Sequence, residues 1–463
     1  MTDFWDTIAA IASARGEASV GIVRISGASA RKIAEAVFRR PSGRPVKRWS
    51  SRRSVLYGLA VHPKDGRELD EVLLLWMPGP RSYTGEDVVE FQVHGGSRVL
   101  EGVLEAILVA GCRLAEPGEF TKRAFLNGRM DLSQAEGVMD LIRAKTDLAS
   151  QAALRQVRGG LRENVVGLRR RLLRLEAHVE VTIDYPEHEV EDEARDLVVK
   201  ECEALGREVT QIVDSSHLGQ ILRDGIGTAI LGRPNVGKSS LMNRLLRRER
   251  AIVTEIPGTT RDVLEEYVSI EGIPFRIIDT AGIRDTEDVV EQIGVERSRE
   301  VMEDAEVVIL IMNAGEPLGP EDEELLRATR AKPRLVLLNK VDLGIHVDVK
   351  ELESALGGDS WIAVSLKTGE GVDAFLSELV RIAVGEEHPM LESSFATNAR
   401  QTNYLREALE DLNLARFAAL EGATLDIIAV QLQSAYAALG QVIGEEVGED
   451  LLDEIFSQFC LGK

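Results

Sequence analysis

The chain has 463 residues, of which 44% are hydrophobic and 29% are charged, and its formal net charge is −22. One hydrophobic core is not expected at this length, so the sequence predicts several domains. The acidic balance excludes broad, non-specific binding of nucleic acids, because a strongly negative surface repels phosphates. Any contact with RNA must therefore be local or made through a partner.

The cysteines and the apolar runs exclude further classes of protein. Cys112, Cys202 and Cys460 are odd in number and far apart, which excludes a disulfide framework and a zinc site of cysteine pairs and is typical of a reducing cytosol. The longest apolar runs, residues 72–77 and 307–312, are too short to span a membrane. We therefore expect a cytoplasmic protein.

The order of predicted elements indicates a multidomain α/β and α protein. Residues 1–120 alternate β-rich runs with two helical patterns, which predicts an α+β domain. Residues 121–224 have helical periodicity, and this pattern returns in residues 383–463. Between them, residues 225–382 alternate apolar strands with helices, the order of a parallel sheet. An α/β domain is thus predicted to interrupt a helical domain.

One helix within the first helical segment has a clear predicted start and end. Ser133 and Glu136 have the spacing of a capping box, and apolar residues follow at helical spacing as far as Leu148. Gly159 and Gly160 are predicted to end that helix.

A glycine-rich loop lies between a predicted strand, TAIL, and a predicted helix. It reads Gly232-Arg-Pro-Asn-Val-Gly237-Lys238-Ser239. In such a loop backbone amides face the phosphates of a nucleotide, the lysine reaches the β- and γ-oxygens, and the serine hydroxyl binds Mg²⁺. The pattern predicts a phosphate-binding loop with Ser239 as a magnesium ligand.

Further nucleotide motifs follow at the ends of apolar runs. Asp279 begins DTAG, 41 residues after Lys238, where a carboxylate approaches the metal and Gly282 offers an amide to the γ-phosphate. Asn339 begins NKVD, in which Asp342 can accept hydrogen bonds from N1–H and the 2-amino group of guanine. Adenine lacks that amino group, so this motif favours guanine.

The motif SLK completes the predicted base-binding loop, and four motifs in this order predict a Ras-like P-loop GTPase domain rather than unrelated surface loops. The residues that we assign to GTP binding are Asn235, Val236, Gly237, Lys238, Ser239, Ser240, Thr254, Glu255, Ile256, Pro257, Gly258, Thr259, Thr260, Asp279, Thr280, Ala281, Gly282, Asn339, Lys340, Asp342, Ser365, Leu366 and Lys367.

One position departs from the Ras pattern. A glutamine there orients the attacking water, whereas this chain has Ile283 after the DTAG glycine. Another group must assist hydrolysis if it occurs. Thr260 suits a second magnesium ligand, and the side-chain carbonyl of Asn235 suits a monovalent cation beside the phosphates.

The whole chain resembles the tRNA-modification GTPase MnmE family, also called TrmE. The resemblance rests on DTIAAIASARGEASVGIVRISG, SYTGEDVVEFQVHGG, PGEFTKRAFLNGRMDLSQAEGVMDLI, the four nucleotide motifs and the terminal FCLGK. It implies an N-terminal folate-binding and dimerising domain, a split helical domain and an inserted GTPase domain. It also implies a homodimer that acts with an FAD-containing partner, MnmG or GidA, in a heterotetramer or larger assembly.

The resemblance further implies the reaction. Members install a carboxymethylaminomethyl-type group at C5 of the wobble uridine of certain tRNAs, with a one-carbon unit from a tetrahydrofolate derivative in the 5-formyl or 5,10-methylene form. K⁺ supports their GTP hydrolysis; the implied K⁺ ligands are Asn235, Thr254, Ile256 and Thr259, and the implied catalytic glutamate is Glu291.

For folate, the resemblance implies contacts with Arg24, Glu90, Arg129 and Lys463. Glu90 alternates with Val89 and Phe91, so it is expected on the polar face of a strand. A carboxylate there suits the donor edge of a pterin. Without the resemblance, these residues would be read as solvated strand and turn positions.

The terminal SQFCLGK raises the alternative of a prenylated switch, because Cys460 is the fourth residue from the end. The tail lacks a second aliphatic residue, and Lys463 is a poor last residue for prenylation. The resemblance instead directs Cys460 to the folate site as a catalytic residue, as nucleophile or by position, and we expect the last five residues to be extended.

Three rival functions stand beside the tRNA-modification hypothesis. A ribosome-assembly GTPase that binds rRNA would need a basic RNA-binding module, and this acidic chain shows none. A membrane-tethered switch is disfavoured by the tail. A folate-dependent aminomethyltransferase of small-molecule metabolism would have no use for a GTPase domain.

Overall fold

The computed structural model describes residues 6–14, 16–46, 48–185, 191–249, 266–278, 304–385 and 397–462. The chain divides into two compact units, Met1–Met139 with Gly440–Lys463, and Asp140–Leu439. Among the described residues, none of the helices combines the length and the apolar character needed to cross a bilayer. The predicted domain boundaries at residues 120, 224 and 382 stay predictions.

The first unit contains a seven-stranded sheet with the order β3-β4-β5-β6-β2-β1-β7. Its neighbouring strands are antiparallel except for the pair β1 and β7. The strands are β1 Ile8–Ile11, β2 Ala18–Ser26, β3 Phe38–Arg39, β4 Ser54–Val61, β5 Glu68–Met77, β6 Val88–Gly95 and β7 Arg113–Leu114. The helices of this part are α1 Ala30–Val37, α2 Ser97–Val109, α3 Glu119–Leu126, α4 Leu132–Arg143 and, near the C-terminus, α14 Glu449–Ser457.

Strand β6 shows how one face of this sheet becomes a core. Val89, Phe91 and Val93 are buried and pack with residues of α1 and α2, whereas Glu90 lies on the opposite face beside Arg24 of β2. The predicted polar face of this strand is confirmed, because successive side chains of a strand point to opposite faces.

The second unit contains long helices and the inserted α/β part. The helices outside the sheet are α5 Asp147–Val157, α6 Gly160–Asp184, α7 Glu191–Asp224, α12 Ala399–Leu420 and α13 Leu425–Ile443. Helices α7 and α12 pack against each other although a whole domain separates them in sequence. This packing explains how a helical domain can be interrupted.

Two local predictions in the first helical segment were wrong. The capping box is formed by Asp131 and Gln134: Asp131 Oδ1 accepts from the Gln134 backbone N–H at 3.0 Å, and Gln134 Oε1 accepts from that of Asp131 at 3.1 Å. The predicted continuous helix is also broken, because α4 ends at Arg143 and α5 begins after Thr146, whose hydroxyl accepts from the Ala149 backbone N–H. Overlapping polar residues offer two capping registers, and a cap at Thr146 competes with continuation of the helix. The predicted break at Gly159 is confirmed, since Gly159 has a φ of 92°.

The inserted part is the predicted parallel sheet. Six strands have the order β13-β12-β11-β8-β10-β9, and β9 is the antiparallel one. The strands are β8 Ile226–Leu231, β9 Glu266–Ile270, β10 Ile273–Ile277, β11 Val307–Asn313, β12 Arg334–Asn339 and β13 Trp361–Val364, and the helices are α8 Lys238–Glu249, α9 Pro320–Ala328, α10 Val349–Leu356 and α11 Val372–Val384. Strands β11 and β12 are almost wholly buried, as expected for strands covered on both faces.

Candidate functional site

The phosphate loop joins β8 to α8 and depends on two glycines. Gly232 has a φ of 153°, and a Cβ there would lie 2.4 Å from the carbonyl oxygen of Ile311. Gly237 has a φ of 118°, and a Cβ there would lie 2.3 Å from Nδ2 of Asn339. Side chains do not fit at these places, so the loop can pass close to β11 and β12 only with glycine.

Lys238 is folded over this loop. Its ammonium donates to the carbonyl oxygens of Gly232 at 2.7 Å and Arg233 at 2.8 Å, and burial lowers its pKa. An ammonium has three donors, so one remains for a phosphate oxygen. Asn235 has a φ of 60°, and its side chain is exposed at the outer turn of the loop.

The predicted base-binding residues meet the phosphate loop at the carboxyl ends of β8, β12 and β13. Asn339 Nδ2 donates to the carbonyl of Val236 at 2.8 Å, and its Oδ1 accepts from the backbone N–H of Leu366 at 3.0 Å. The Ser365 hydroxyl donates to Asp342 Oδ1 at 2.7 Å, which orients the carboxylate. The structure thus brings three of the four predicted motifs together.

Many of the other predicted site residues, with the tail residue Lys463, lie outside the described residues. They are Thr254, Glu255, Ile256, Pro257, Gly258, Thr259, Thr260, Asp279, Thr280, Ala281, Gly282, Glu291 and Lys463. Ser239 and Ser240 lie in the first turn of α8, and Lys340 precedes Asp342 with a φ of 70°. Lys367 is exposed at the end of the SLK loop.

In the N-terminal unit, Arg24 and Glu90 form a salt bridge between β2 and β6. Arg24 Nε lies 2.7 Å from Glu90 Oε1, and both side chains are largely buried. The guanidinium lies 5.3 Å from the ring centroid of Tyr83 and 5.5 Å from that of Phe120. Two of the predicted folate residues therefore lie together, beside two aromatic rings.

Arg129 belongs to the same neighbourhood. Burial raises the pKa of the Tyr83 phenol, whereas a hydrogen bond with Thr121 and the charges of Arg24 and Arg129 lower it in part. Both arginines therefore act electrostatically on one phenol. Arg129 itself is exposed.

The C-terminal tail ends at this same place. Phe459 is buried, the Gly118 N–H donates to the Cys460 carbonyl at 3.4 Å, and Arg24 Nη1 donates to the Gly462 carbonyl at 3.3 Å. The expectation of an extended tail was wrong: Gly462 lies in a turn with a φ of 91°. Glycine is needed in this turn, because a Cβ at position 462 would lie 2.3 Å from the carbonyl oxygen of Ile11 in β1.

Sequence reasoning missed a buried ionic network beneath this site. Arg123, 2% exposed, donates to Asp6 and Glu119 at 2.8 Å each, and Arg113 bonds the same two carboxylates. Hydrogen bonds from Arg113 and Arg123 hold the pKa of Asp6 below its usual value. No motif signals this network, because its members are up to 117 positions apart.

Two family models match the chain. "GTP-binding protein TrmE N-terminus" matches residues 7–129, and "MnmE helical domain" matches residues 132–460, more than half of the chain. The chain belongs to the MnmE family of tRNA-modification GTPases. The resemblance stated from the sequence is confirmed, and with it the fold: an α+β N-terminal domain and a helical domain interrupted by a P-loop GTPase domain.

Individual MnmE relatives agree along their whole length. The tRNA modification GTPase MnmE of Symbiobacterium thermophilum is 49% identical over 461 residues, 99% of each chain. That of Geobacillus thermodenitrificans is 45% identical over 464 residues, 100% of each chain. The G domain of the T. maritima FeoB iron transporter is 26% identical, and the alignment covers 34% of this chain and 98% of that one. Its TM-score is 0.25, which supports no conclusion.

Proposed function

We propose that this MnmE-family GTPase hydrolyses GTP in a Mg²⁺-dependent, K⁺-stimulated reaction and acts with an FAD-containing MnmG-type partner. Together they would install a carboxymethylaminomethyl-type group at C5 of the wobble uridine of certain tRNAs. The observation that carries the proposal is the hydrogen bond from Arg24 to the Gly462 carbonyl. It joins the Arg24–Glu90 pair to the tail that bears Cys460.

The chemistry of the nucleotide loops fits GTP. The Asp342 carboxylate uses Oδ1 for Ser365, which leaves Oδ2 as an acceptor towards the donor edge of guanine. The free donor of Lys238 and the amides of a helix N-terminus suit the β- and γ-phosphates. The Ser239 hydroxyl would bind Mg²⁺, and the Asn235 carbonyl oxygen would bind K⁺.

The residues around Arg24 in the N-terminal unit suit a tetrahydrofolate derivative. Glu90 offers carboxylate oxygens to a pterin edge, and the half-buried ring of Tyr83 lies beside Arg24. Arg129 and Lys463 add positive charge for the carboxylates of the ligand. A bound tetrahydrofolate, in its 5-formyl or 5,10-methylene form, supplies the one-carbon unit; Cys460 acts from the tail.

The open face of the N-terminal sheet supports the proposed homodimer. Tyr57 lies opposite Leu73 in the register of β4 and β5, and both are exposed, as is Val55 on the same face of β4. Contiguous exposed apolar surface is typical of protein–protein contacts. For the tRNA substrate, the net charge of −22 favours contact mainly through the partner.

Mass spectrometry of wobble uridines tests the proposal. A strain that lacks this protein is expected to lose the C5 aminomethyl-type modification, and the wild-type gene is expected to restore it. Modified uridines at wild-type level in the deletion strain would refute the proposed reaction. Purified protein without GTP turnover would refute the GTPase assignment separately.

A further inference from the structure

Arg233 belongs to the phosphate loop but has no role in the nucleotide motifs. It lies between Gly232 and Pro234, and its side chain is directed to helix α9 and the loop before it. Arg233 Nε lies 3.0 Å from the Asp322 carboxylate, and Nη2 lies 3.1 Å from Glu316 Oε2. The guanidinium is therefore engaged by two carboxylates.

Asp322 is a fixed partner. Asp322 is only 1% exposed and is the third residue of α9. Its Oδ2 also accepts a hydrogen bond from the backbone N–H of Gly319 at 3.0 Å. Removing the cation from a buried carboxylate costs free energy, so the Arg233–Asp322 ion pair is not easily broken. Arg233 also closely approaches Gly319, where an added Cβ would lie 3.3 Å from Nη1.

Glu316 extends the connection to the base-binding strand. Its Oε1 accepts from Asn313 Nδ2 at 2.5 Å. Asn313 ends β11 and pairs with Asn339 at the end of β12, and the Ala314 N–H donates to the Asn339 carbonyl at 2.8 Å. The side chain of Arg233 is thus linked, through one loop, to the residue that bonds Val236.

The backbone carbonyl of Arg233 is held by a second contact, within the phosphate loop itself. Its carbonyl accepts from Lys238 at 2.8 Å, the group expected to contact the phosphates. A shift of Arg233 would move that carbonyl and the lysine together. The contacts of this side chain therefore act on the phosphate loop together with the hydrogen bond from Asn339 to Val236.

We propose that Arg233 is a positioning residue that holds the phosphate loop in its binding conformation through Asp322 and Glu316. It is not a charge-stabilising arginine for GTP hydrolysis, because its guanidinium is neutralised by a buried carboxylate. The proposal rests on GTP as the substrate. It assigns Arg233 to nucleotide affinity and not to the rate of the chemical step.

The test separates binding from turnover. Arg233→Met is expected to raise the Kd of GDP and of GTP alike by about tenfold, which corresponds to about 1.4 kcal/mol, with turnover at saturating GTP unchanged. Asp322→Asn is expected to have the same phenotype. The double variant should have no larger effect than either single variant, because both changes remove the same interaction. Arg233→Lys should recover part of the affinity, because it keeps the charge but not the guanidinium fork.

Arg381→Met is the matched control. Arg381 pairs with Glu378 on α11 in the same domain and does not contact the phosphate loop, so its loss should leave the Kd unchanged. If Arg233→Met slowed turnover at saturating GTP by about a thousandfold or more, this residue would be a charge-stabilising arginine and the proposal would be overturned. Wild-type affinity in Arg233→Met would overturn it as well. In the absence of nucleotide, Arg233→Met should melt below Arg381→Met, because the buried Asp322 carboxylate loses its cation. The double variant of Arg233→Met with Asp322→Asn removes that carboxylate charge, so it should melt higher than Arg233→Met and bind nucleotide no better. Recovery of affinity together with stability in the double variant would show a general structural role instead.

Discussion

The Asn339 side chain donates a hydrogen bond to the backbone carbonyl of Val236 at 2.8 Å and so connects the base-binding strand to the phosphate loop. The same amide accepts from Leu366. One buried side chain thus holds three segments that are far apart in sequence. Nucleotide affinity should depend on it even though this amide is occupied by the protein itself.

Asn339→Ala is expected to lower the affinity for guanine nucleotides at least tenfold and to lower stability. The variant leaves a buried carbonyl and a buried N–H without partners, which costs about 1–3 kcal/mol for each group. Fluorescence titration and thermal unfolding without nucleotide measure the two effects. Asn413→Ala, the same change at an exposed position of α12, is the control. Wild-type values for both quantities in Asn339→Ala would contradict this role of the amide.

The positions of the nucleotide residues were predictable because parallel strands end at one edge of a sheet. A motif after each of three such strands therefore places Lys238, Asn339 and Ser365 together, as observed. Packing details were not predictable. The Arg123 network joins residues up to 117 positions apart, and no periodic pattern connects them.

Two local features of the backbone could not be predicted from the sequence either. The segment D-L-S-Q-A-E offers a cap at Asp131 or Ser133, and the structure uses Asp131 with Gln134. The left-handed turn at Gly462 was not predicted either; there the tail lies against Ile11, a residue far away in sequence.

The proposed role of Asn235 as a K⁺ ligand predicts a cation effect on turnover. GTP hydrolysis should be much faster in KCl than in NaCl at equal ionic strength, because a bound cation stabilises charge on the transferred phosphoryl group. Asn235→Ala should remove this difference and leave nucleotide binding largely intact. Equal wild-type rates in the two salts would refute the hypothesis.

Glu291→Ala should slow hydrolysis without a change in GTP affinity.

The open sheet face predicts the effect of new charges on association. If the proposed homodimer forms through this face, Val55→Glu with Leu73→Glu should give a monomer in analytical ultracentrifugation, because unpaired carboxylates would be buried in the interface. Val109→Glu, at an exposed position of α2, should leave the dimer intact. A double variant that sediments as a dimer would place the interface elsewhere.

The buried network predicts a pH-dependent contribution to stability. Burial raises the pKa of Glu119, but hydrogen bonds from Arg113, the Glu116 N–H and Arg123 outweigh it, so its pKa lies below the usual 4.5. A lowered carboxyl pKa stabilises the native state above pH 4.5, and this contribution is lost as the pH falls through the native pKa.

Glu119→Gln should therefore lower the free energy of unfolding by about 3 kcal/mol at neutral pH, because it removes one partner of a buried ion pair. The deficit relative to the wild type should shrink as the pH falls below 4.5. Denaturant unfolding at several pH values measures it. Glu105→Gln, exposed on α2, should be neutral, and an equal loss at every pH in Glu119→Gln would exclude the ionic origin.

The tail predicts a separation of GTP hydrolysis from tRNA modification. Gly462 has a φ of 91°, and a Cβ there would lie 2.3 Å from the Ile11 carbonyl oxygen, so Gly462→Ala should displace the tail from Arg24. Cys460→Ser and deletion of residues 459–463 should act on the same step. All three should spare K⁺-dependent GTP hydrolysis, since no tail residue belongs to a nucleotide motif.

In cells, the tail variants should lose wobble-uridine modification, as measured by mass spectrometry of tRNA. The deletion should also weaken binding of a tetrahydrofolate derivative, because it removes the charge of Lys463. Gly448→Ala is the matched control, because a Cβ there meets no atom within 4 Å; it should modify tRNA normally. If Cys460 carried a lipid anchor, its mass would be increased and the protein would be found in the membrane fraction. Cys460→Ser would abolish both. Full modification by Gly462→Ala and Cys460→Ser would show that neither the turn nor the thiol takes part in the reaction.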